Sequence, residues 1–160
     1  HVRDEVIKRL AQEGIDVRQT PYSPLGLRSS ERLSIGNCAA YQEGWFDIQD
    51  EASQIATILC DAKESEKIID YCCGAGGKSL AISALLENRG KILAYDINAK
   101  RLEAIKPRLQ RLGVNNIELH ELHTVRAEAC NLLIYADPCR LPTPWPTAPH
   151  DTLHCTGVYF

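Results

Sequence analysis

At 160 residues, 44% of them apolar, the chain is long enough for one cored domain and a fragment of a second. A net charge of −3 gives no general electrostatic argument for nucleic acid, so an RNA partner has to be argued from particular residues. Seven cysteines make an odd count in a chain too long for a disulfide-stapled miniprotein, which argues against a secreted framework.

Cys60, Cys72, Cys73 and Cys130 sit in or beside apolar runs, so reduced thiols are expected. No second Cys or His cluster accompanies the Cys72-Cys73 pair, and the spacing argues against bound zinc or any other metal. No run approaches the roughly 18 apolar residues of a membrane span, and no signal peptide opens the chain. The expectation is a soluble, cytoplasmic protein without a membrane partner. With no methionine and a start at His1, the expectation is a piece or processed form of something longer.

In chain order, Val2, Val6, Ile7 and Leu10 fall at helical spacing among charges, and Gly14 stops the run, which predicts a helix from Val2 to Glu13. From Ile15 to Gly44 short extended pieces are divided by Pro21, Pro24, Gly26, Gly36 and Gly44, so residues 1–44 read as a small α+β appendage. Trp45 to Gln49 reads as a strand leading to Asp50, a suitable N-cap for a helix from Glu51 to Cys60. The main domain, residues 45–139, begins here.

Its period is regular: strand Lys67 to Cys72, helix Ser79 to Leu86, strand Lys91 to Asp96, helix Ala99 to Leu112, then strands Asn116 to His120 and Leu132 to Asp137. Such alternation predicts an α/β fold with a parallel sheet and ligands at the carboxyl ends of its strands. The expected order places the third strand beside the second, the second beside the first, and the first beside the fourth. Gly90 and Gly113 are read as C-caps, and Pro107 as a kink or break in the second helix. The interval from Glu121 to Asn131 is short for a crossover helix. Pro142, Pro144, Pro146 and Pro149 bar regular structure from residues 140–160, an irregular tail that leaves the fourth strand as an unprotected edge.

The segment Asp70-Tyr-Cys-Cys-Gly-Ala-Gly-Gly-Lys-Ser79 joins the first strand to a helix, with Asp96 ending the next strand. A glycine cluster there lets backbone approach a ligand, the helix start offers unpaired N–H groups, and the acid can grip a ribose. Gly77-Lys78-Ser79 matches the end of a P-loop, but the glycine required five positions earlier is Cys72. Gly74, Gly76 and Gly77 do not give the spacing that admits a dinucleotide pyrophosphate. A nucleoside ligand without phosphate fits better, and S-adenosylmethionine is one. Asp96 alone also reads as a helix N-cap, and Cys72 and Cys73 as small packing residues.

The same segment resembles the Asp-x-Cys-Ala-Ala-Pro-Gly-Gly-Lys-Thr signature of the Sun-type (Fmu) RNA cytosine-5 methyltransferases. Upstream, Trp45-Phe-Asp-Ile-Gln-Asp-Glu-Ala-Ser-Gln54 resembles that family's Gln-Asp-x-Ala-Ser segment, and the likeness continues through Ala94-Tyr-Asp96, the helix at Arg101 and Gly113-Val-x-Asn-Ile117. The resemblance implies a Rossmann-like class I methyltransferase fold, incomplete at the C-terminus. It implies S-adenosyl-L-methionine as cofactor, held by Cys72, Cys73, Gly74, Ala75, Gly76, Gly77, Lys78, Asp96, Arg101 and Asp137. It also implies methyl transfer to carbon 5 of a cytosine in rRNA or tRNA, with Asp137 and Cys139 as catalytic residues. That chemistry needs a thiolate to activate the ring, which the family carries in a Thr-Cys motif near its C-terminus, and an acid to bind the base; the resemblance gives Cys139 the place of a second thiol that helps release product.

Past the fourth strand the likeness thins. Tyr135-Ala-Asp-Pro-Cys-Arg140 resembles the family's Asp-Ala-Pro-Cys loop with the acid one position late, and no Ser-Gly-x-Gly follows. The family's Thr-Cys nucleophile motif has no counterpart beyond His154-Cys155-Thr156, in reverse order. Two other readings stay open: a catalytically inactive remnant that binds cofactor or a protein partner, and a small-molecule methyltransferase, which the Gln49-Asp50 segment argues against. The stripe Lys100, Arg101, Lys106, Arg108 and Arg111 reads as a solvated helix face. Trp145 reads as a packing residue of the tail, and His120, His123, His150 and His154 form no set.

Overall fold

Asp4 and Glu5 in the first turn and Arg9 in the last suit the dipole of α1 (Arg3–Gln12), whose Val6 and Leu10 are buried. The computed structural model describes residues 3–30 and 34–122 and the backbone of 132–134. Strands β1 (Val17–Gln19) and β2 (Leu27–Ser29) pair antiparallel, with Val17 opposite Ser29. A 3-10 turn at Ile35–Asn37 leads into α2 (Ala39–Gln42). Glu13 accepts hydrogen bonds from the Ala39 and Ala40 N–H groups at 2.8 Å each, which docks the end of α1 on the start of α2. Val6, Leu10, Val17, Leu27, Cys38, Ala40 and Phe46 form one buried cluster. The appendage therefore has its own small core, and Phe46 enters it from beyond residue 44.

The strand expected from Trp45 to Gln49 is not formed; the segment is irregular, with a single bridge residue at Gln49. Its alternation misleads because Phe46 and Asp47 are both buried, one among apolar side chains and the other on arginines, and no strand among the described residues pairs with them. Asp50 then caps α3 (Glu51–Leu59), accepting from Ala52 N at 2.9 Å and Ser53 N at 3.4 Å.

The main sheet contains β3 (Lys67–Asp70), β4 (Lys91–Asp96), β5 (Ile117–Glu121) and β6 (Leu132–Ile134), in the order β5-β4-β3-β6. All its pairings are parallel, and the order is the expected one. Asp70 lies opposite both Ala94 and Ile134, so β3, β4 and β6 reach their carboxyl ends along one edge. Helices α4 (Gly77–Leu85) and α5 (Ala99–Leu112) cover one face. Ile68, Ile82, Leu86 and Ile92 make one cluster beneath them, and Cys73, Ala94, Leu102 and Ile105 another.

Two local expectations need correction. Gly113 is the C-cap of α5, at φ 65°, but α4 ends at Leu86, and Gly90 only completes a later turn at φ 73°. Glu87 and Asn88 themselves adopt positive φ, so the exit from α4 is made before Gly90 is reached. Pro107 does not break α5, which runs unbroken past it. Both Pro107 and Glu103, whose carbonyl loses its donor, are exposed to water, and the far half of the helix is anchored by Arg108 and Arg111.

Candidate functional site

The chain leaves β3 at Asp70, which is 2% exposed and accepts the Ser79 hydroxyl at 2.6 Å. Burial pushes the Asp70 carboxyl above its ordinary range, against the opposing pull of Ser79 and Lys78. Cys73 N donates to Tyr95 O at 2.9 Å, and Gly76 N to Cys73 O at 2.8 Å, closing a tight turn. Gly76 sits at φ 80°, and a Cβ there would meet Ile105 at 3.1 Å. Glycine is required at this position twice over, by the left-handed backbone and by the packing of α5 against the loop. A Cβ on Gly74, at φ 56°, would meet nothing within 4 Å, so that backbone faces open space.

Gly76 is also the N-cap of α4 and supplies no side-chain acceptor, which leaves the first-turn N–H groups without a side-chain cap. Asp96, 5% exposed, accepts from Gly74 N at 2.8 Å through Oδ2 and from Asn98 N at 2.7 Å through Oδ1. The N-cap of α5 is Asn98, which accepts from Lys100 N at 3.0 Å. Asp96 is thus free of capping duty and ties the glycine loop to the β4–α5 turn. Each of its oxygens keeps a second acceptor direction for a hydroxyl.

Of the remaining expected residues, Cys72 and Lys78 are half-buried beside the loop, Gly77 opens α4, and Ala75 is exposed at the loop tip. Cys73 is buried, and its thiol is pushed up to about 12, first by burial and then by the carboxylates of Asp70 and Asp96. It is a packing residue. Arg101 and Lys100 are exposed on the first turn of α5, and Lys106 is exposed further along the same helix. Asp137, Cys139, Trp145 and Cys155 lie outside the described residues. Among the described residues no three His, Cys, Asp or Glu side chains are grouped to hold a metal ion.

Arg108 and Arg111 do not belong to the solvated face on which they were expected. Arg108 donates to Asp47 Oδ2 through Nε at 2.9 Å and Nη2 at 2.5 Å, and its Nη1 donates to the Ala75 carbonyl of the glycine loop. Arg111 donates to Asp47 Oδ1 at 3.0 Å and to the carbonyls of Tyr41 and Phe46 at 2.9 Å each. Its guanidinium also lies 3.7 Å over the Tyr41 ring. The signal available in the sequence was Asp47 itself, an acid enclosed by Trp45, Phe46 and Ile48, which cannot be buried without a cation. Two residues on, Gln49 is 8% exposed and rests against Gly77, its Nε2 3.3 Å from the place a Cβ would take.

A parallel sheet in this order, with a glycine turn after its first strand and an acid ending its second, is the frame of the Rossmann-like folds. A glycine spacing that does not admit a pyrophosphate turns it toward the class I methyltransferases, whose cofactor is S-adenosylmethionine. The profile of the family described as 16S rRNA methyltransferase RsmB/F matches residues 56–136, and the chain belongs to that family. Ribosomal RNA small subunit methyltransferase B of Pseudomonas syringae pv. tomato is 29% identical over 113 residues, covering 71% of this chain and 25% of that protein. A mouse 28S rRNA (cytosine-C(5))-methyltransferase is 34% identical over 121 residues, covering 71% of this chain and 15% of that protein. Among solved structures, a methyltransferase homolog protein from Pyrococcus horikoshii superposes with a TM-score of 0.67 at 30% identity, over 73% of this chain and 39% of that one. The chain thus spans a quarter or less of the length of these two curated relatives.

Proposed function

We propose that the chain is the cofactor-binding part of an S-adenosylmethionine-dependent methyltransferase acting on carbon 5 of a cytosine in rRNA or tRNA. The observation that carries the cofactor half is the hydrogen bond from Gly74 N to Asp96 Oδ2, which holds an acid and a glycine turn together at the carboxyl edge of the sheet. The residues present fit the cofactor. Open space at Gly74, a helix start capped by glycine and an acid with spare acceptor directions suit a nucleoside bearing an amino-acid end and no phosphate. Asp96 would take the ribose hydroxyls, and the first turn of α4 the carboxylate. When bound, S-adenosylmethionine supplies an electrophilic methyl group.

The base-specific half of the reading rests on the mouse relative's name and on Asp137 and Cys139. They follow β6, whose Ile134 lies opposite Asp70, at the same edge as the glycine loop. In this reading Cys139 is a thiol of the reacting centre and Asp137 an acid that hydrogen-bonds the base.

The test is calorimetric titration with S-adenosylmethionine, followed by transfer of labelled methyl to unmodified rRNA and to unmodified tRNA. The expected result is saturable binding; incorporation at cytosine carbon 5 that Cys139→Ala reduces would place the reacting centre in this chain as well. Binding without transfer would leave a cofactor-binding remnant, and transfer to small molecules alone would reassign the substrate.

A further inference from the structure

Gln49 carries a buried polar atom that nothing so far explains. Its Oε1 is shielded from solvent and has no hydrogen-bond partner among the described residues, although the residue is only 8% exposed. Its backbone is not free to move. The Gln49 carbonyl accepts Gln54 Nε2 at 3.3 Å, Asp50 caps α3 on one side, and Asp47 is gripped by Arg108 and Arg111 on the other. This strap lays the amide on Gly77, the first residue of α4, where no other atoms lie within 4 Å of the Cβ position. Gly77 begins a nine-residue helix whose cap provides no side-chain acceptor. An amide oxygen left without a partner at such a place calls for an explanation, and a ligand at the helix start supplies one.

We propose that Gln49 binds the amino-acid end of the cofactor through its side-chain amide; the assignment rests on the S-adenosylmethionine reading above. The uncapped helix start selects an anion, which in this ligand is the α-carboxylate. The same carbon bears an ammonium with three N–H donors, and the Gln49 amide, whose nitrogen lies over Gly77 and whose oxygen is without a partner, offers the acceptor beside the helix start. Asp96 stands at the other end of the glycine loop, at Gly74, and serves the ribose. The two side chains fix the cofactor's two polar ends. The strap thereby gives the segment before α3, outside the glycine motif, a share in cofactor selection.

The test compares S-adenosylmethionine with 5′-methylthioadenosine, which keeps the nucleoside and sulfur but lacks the amino-acid end, by calorimetry on the wild-type chain and on Gln49→Leu and Gln49→Glu. Q49L is expected to weaken S-adenosylmethionine about tenfold or more and to leave methylthioadenosine unchanged, because only one ligand carries the ammonium. Q49E keeps an acceptor oxygen and is expected to retain affinity within a few fold. If Q49L does not fold, Gln49→Met, of similar length and without an amide, takes its place. Equal losses for both ligands, or no loss for either, would overturn the assignment and leave Gln49 as a packing residue. Failure of the wild type to bind either ligand would instead remove the cofactor reading, and the assignment with it.

Discussion

Arg108 and Asp47, 61 residues apart in sequence, are joined by two hydrogen bonds from one guanidinium to one carboxylate oxygen, at 2.5 and 2.9 Å. The third guanidinium nitrogen holds the Ala75 carbonyl, so a single side chain links the strap before α3 to the tip of the glycine loop. Asp47 is only 3% exposed in its side chain, and Arg111 takes its other oxygen at 3.0 Å. Removing one member of such a group leaves the others charged and desolvated.

Asp47→Ala is therefore expected to cost on the order of 3–5 kcal/mol, the range for breaking a buried ion pair. Arg108→Lys replaces a planar fork by a point charge and keeps either Asp47 or Ala75, not both. It should lose less stability but a measurable part of the affinity for S-adenosylmethionine. Denaturant midpoints with and without the cofactor check both. An unchanged midpoint for D47A would show that water satisfies the two guanidiniums in place of the carboxylate at no cost.

The strand order, the three-strand start of the sheet and the glycine turn were all readable because they depend on local pattern: short apolar runs, helical spacing at Leu102 and Ile105, and glycines at a strand end. Asp96 was readable as an acid near the loop, but whether it caps the next helix was not, since that depends on Asn98, two residues on, taking the cap. The Asp47–Arg108–Ala75 link was hidden for a physical reason. Arg108 and Arg111 lie among exposed cations on a helix whose apolar stripe fully accounts for their spacing, and only the tertiary approach of residues 45–50 turns them inward. Pro107 and Gly90 misled in the opposite way. Each obeys a sound local rule, and each was overridden by context: exposure at Glu103 for the proline, and an earlier helix exit through Glu87 and Asn88 for the glycine.

Gly74 and Gly76 separate binding from stability. Gly76→Ala places a methyl group 3.1 Å from Ile105 at φ 80°, combining left-handed strain of about 1–2 kcal/mol with overpacking of about 1–3 kcal/mol. Gly74→Ala meets no atom within 4 Å and carries the left-handed strain alone, about 1–2 kcal/mol, but its methyl projects into the space assigned to the cofactor. G76A should show the larger drop in denaturant midpoint, and G74A the larger drop in S-adenosylmethionine affinity relative to its stability loss. The reverse ranking would move the ligand off the Gly74 side of the loop.

Cys73 should be chemically silent. With its thiol pushed up to about 12, the thiolate fraction at pH 8 is about one in ten thousand, and the side chain is buried as well. Peptide mapping after iodoacetamide treatment at pH 8 is expected to find Cys73 unmodified in the folded protein and labelled once denaturant is added. Rapid labelling in the native state would show the loop opening on the timescale of the reagent.

Asp70 gives a pH dependence of defined sign. Its carboxyl is raised above the ordinary value of 3.8, chiefly by burial, so the folded chain holds this proton more tightly than the unfolded chain does. A group of this kind contributes stability that is fully present below pH 3.8 and is lost as pH rises through the folded-state value; above that, the buried charge opposes folding. Asp70→Asn keeps an oxygen to accept the Ser79 hydroxyl and removes the charge. D70N should therefore be more stable than the wild type at pH 7, with the advantage shrinking as pH falls toward 3.8. Thermal unfolding of both proteins across that range measures the difference. A D70N variant less stable than the wild type at pH 7 would mean that the attraction between Asp70 and Lys78 outweighs the desolvation of the carboxylate, and that the acid at the end of β3 is held charged by the helix that follows it.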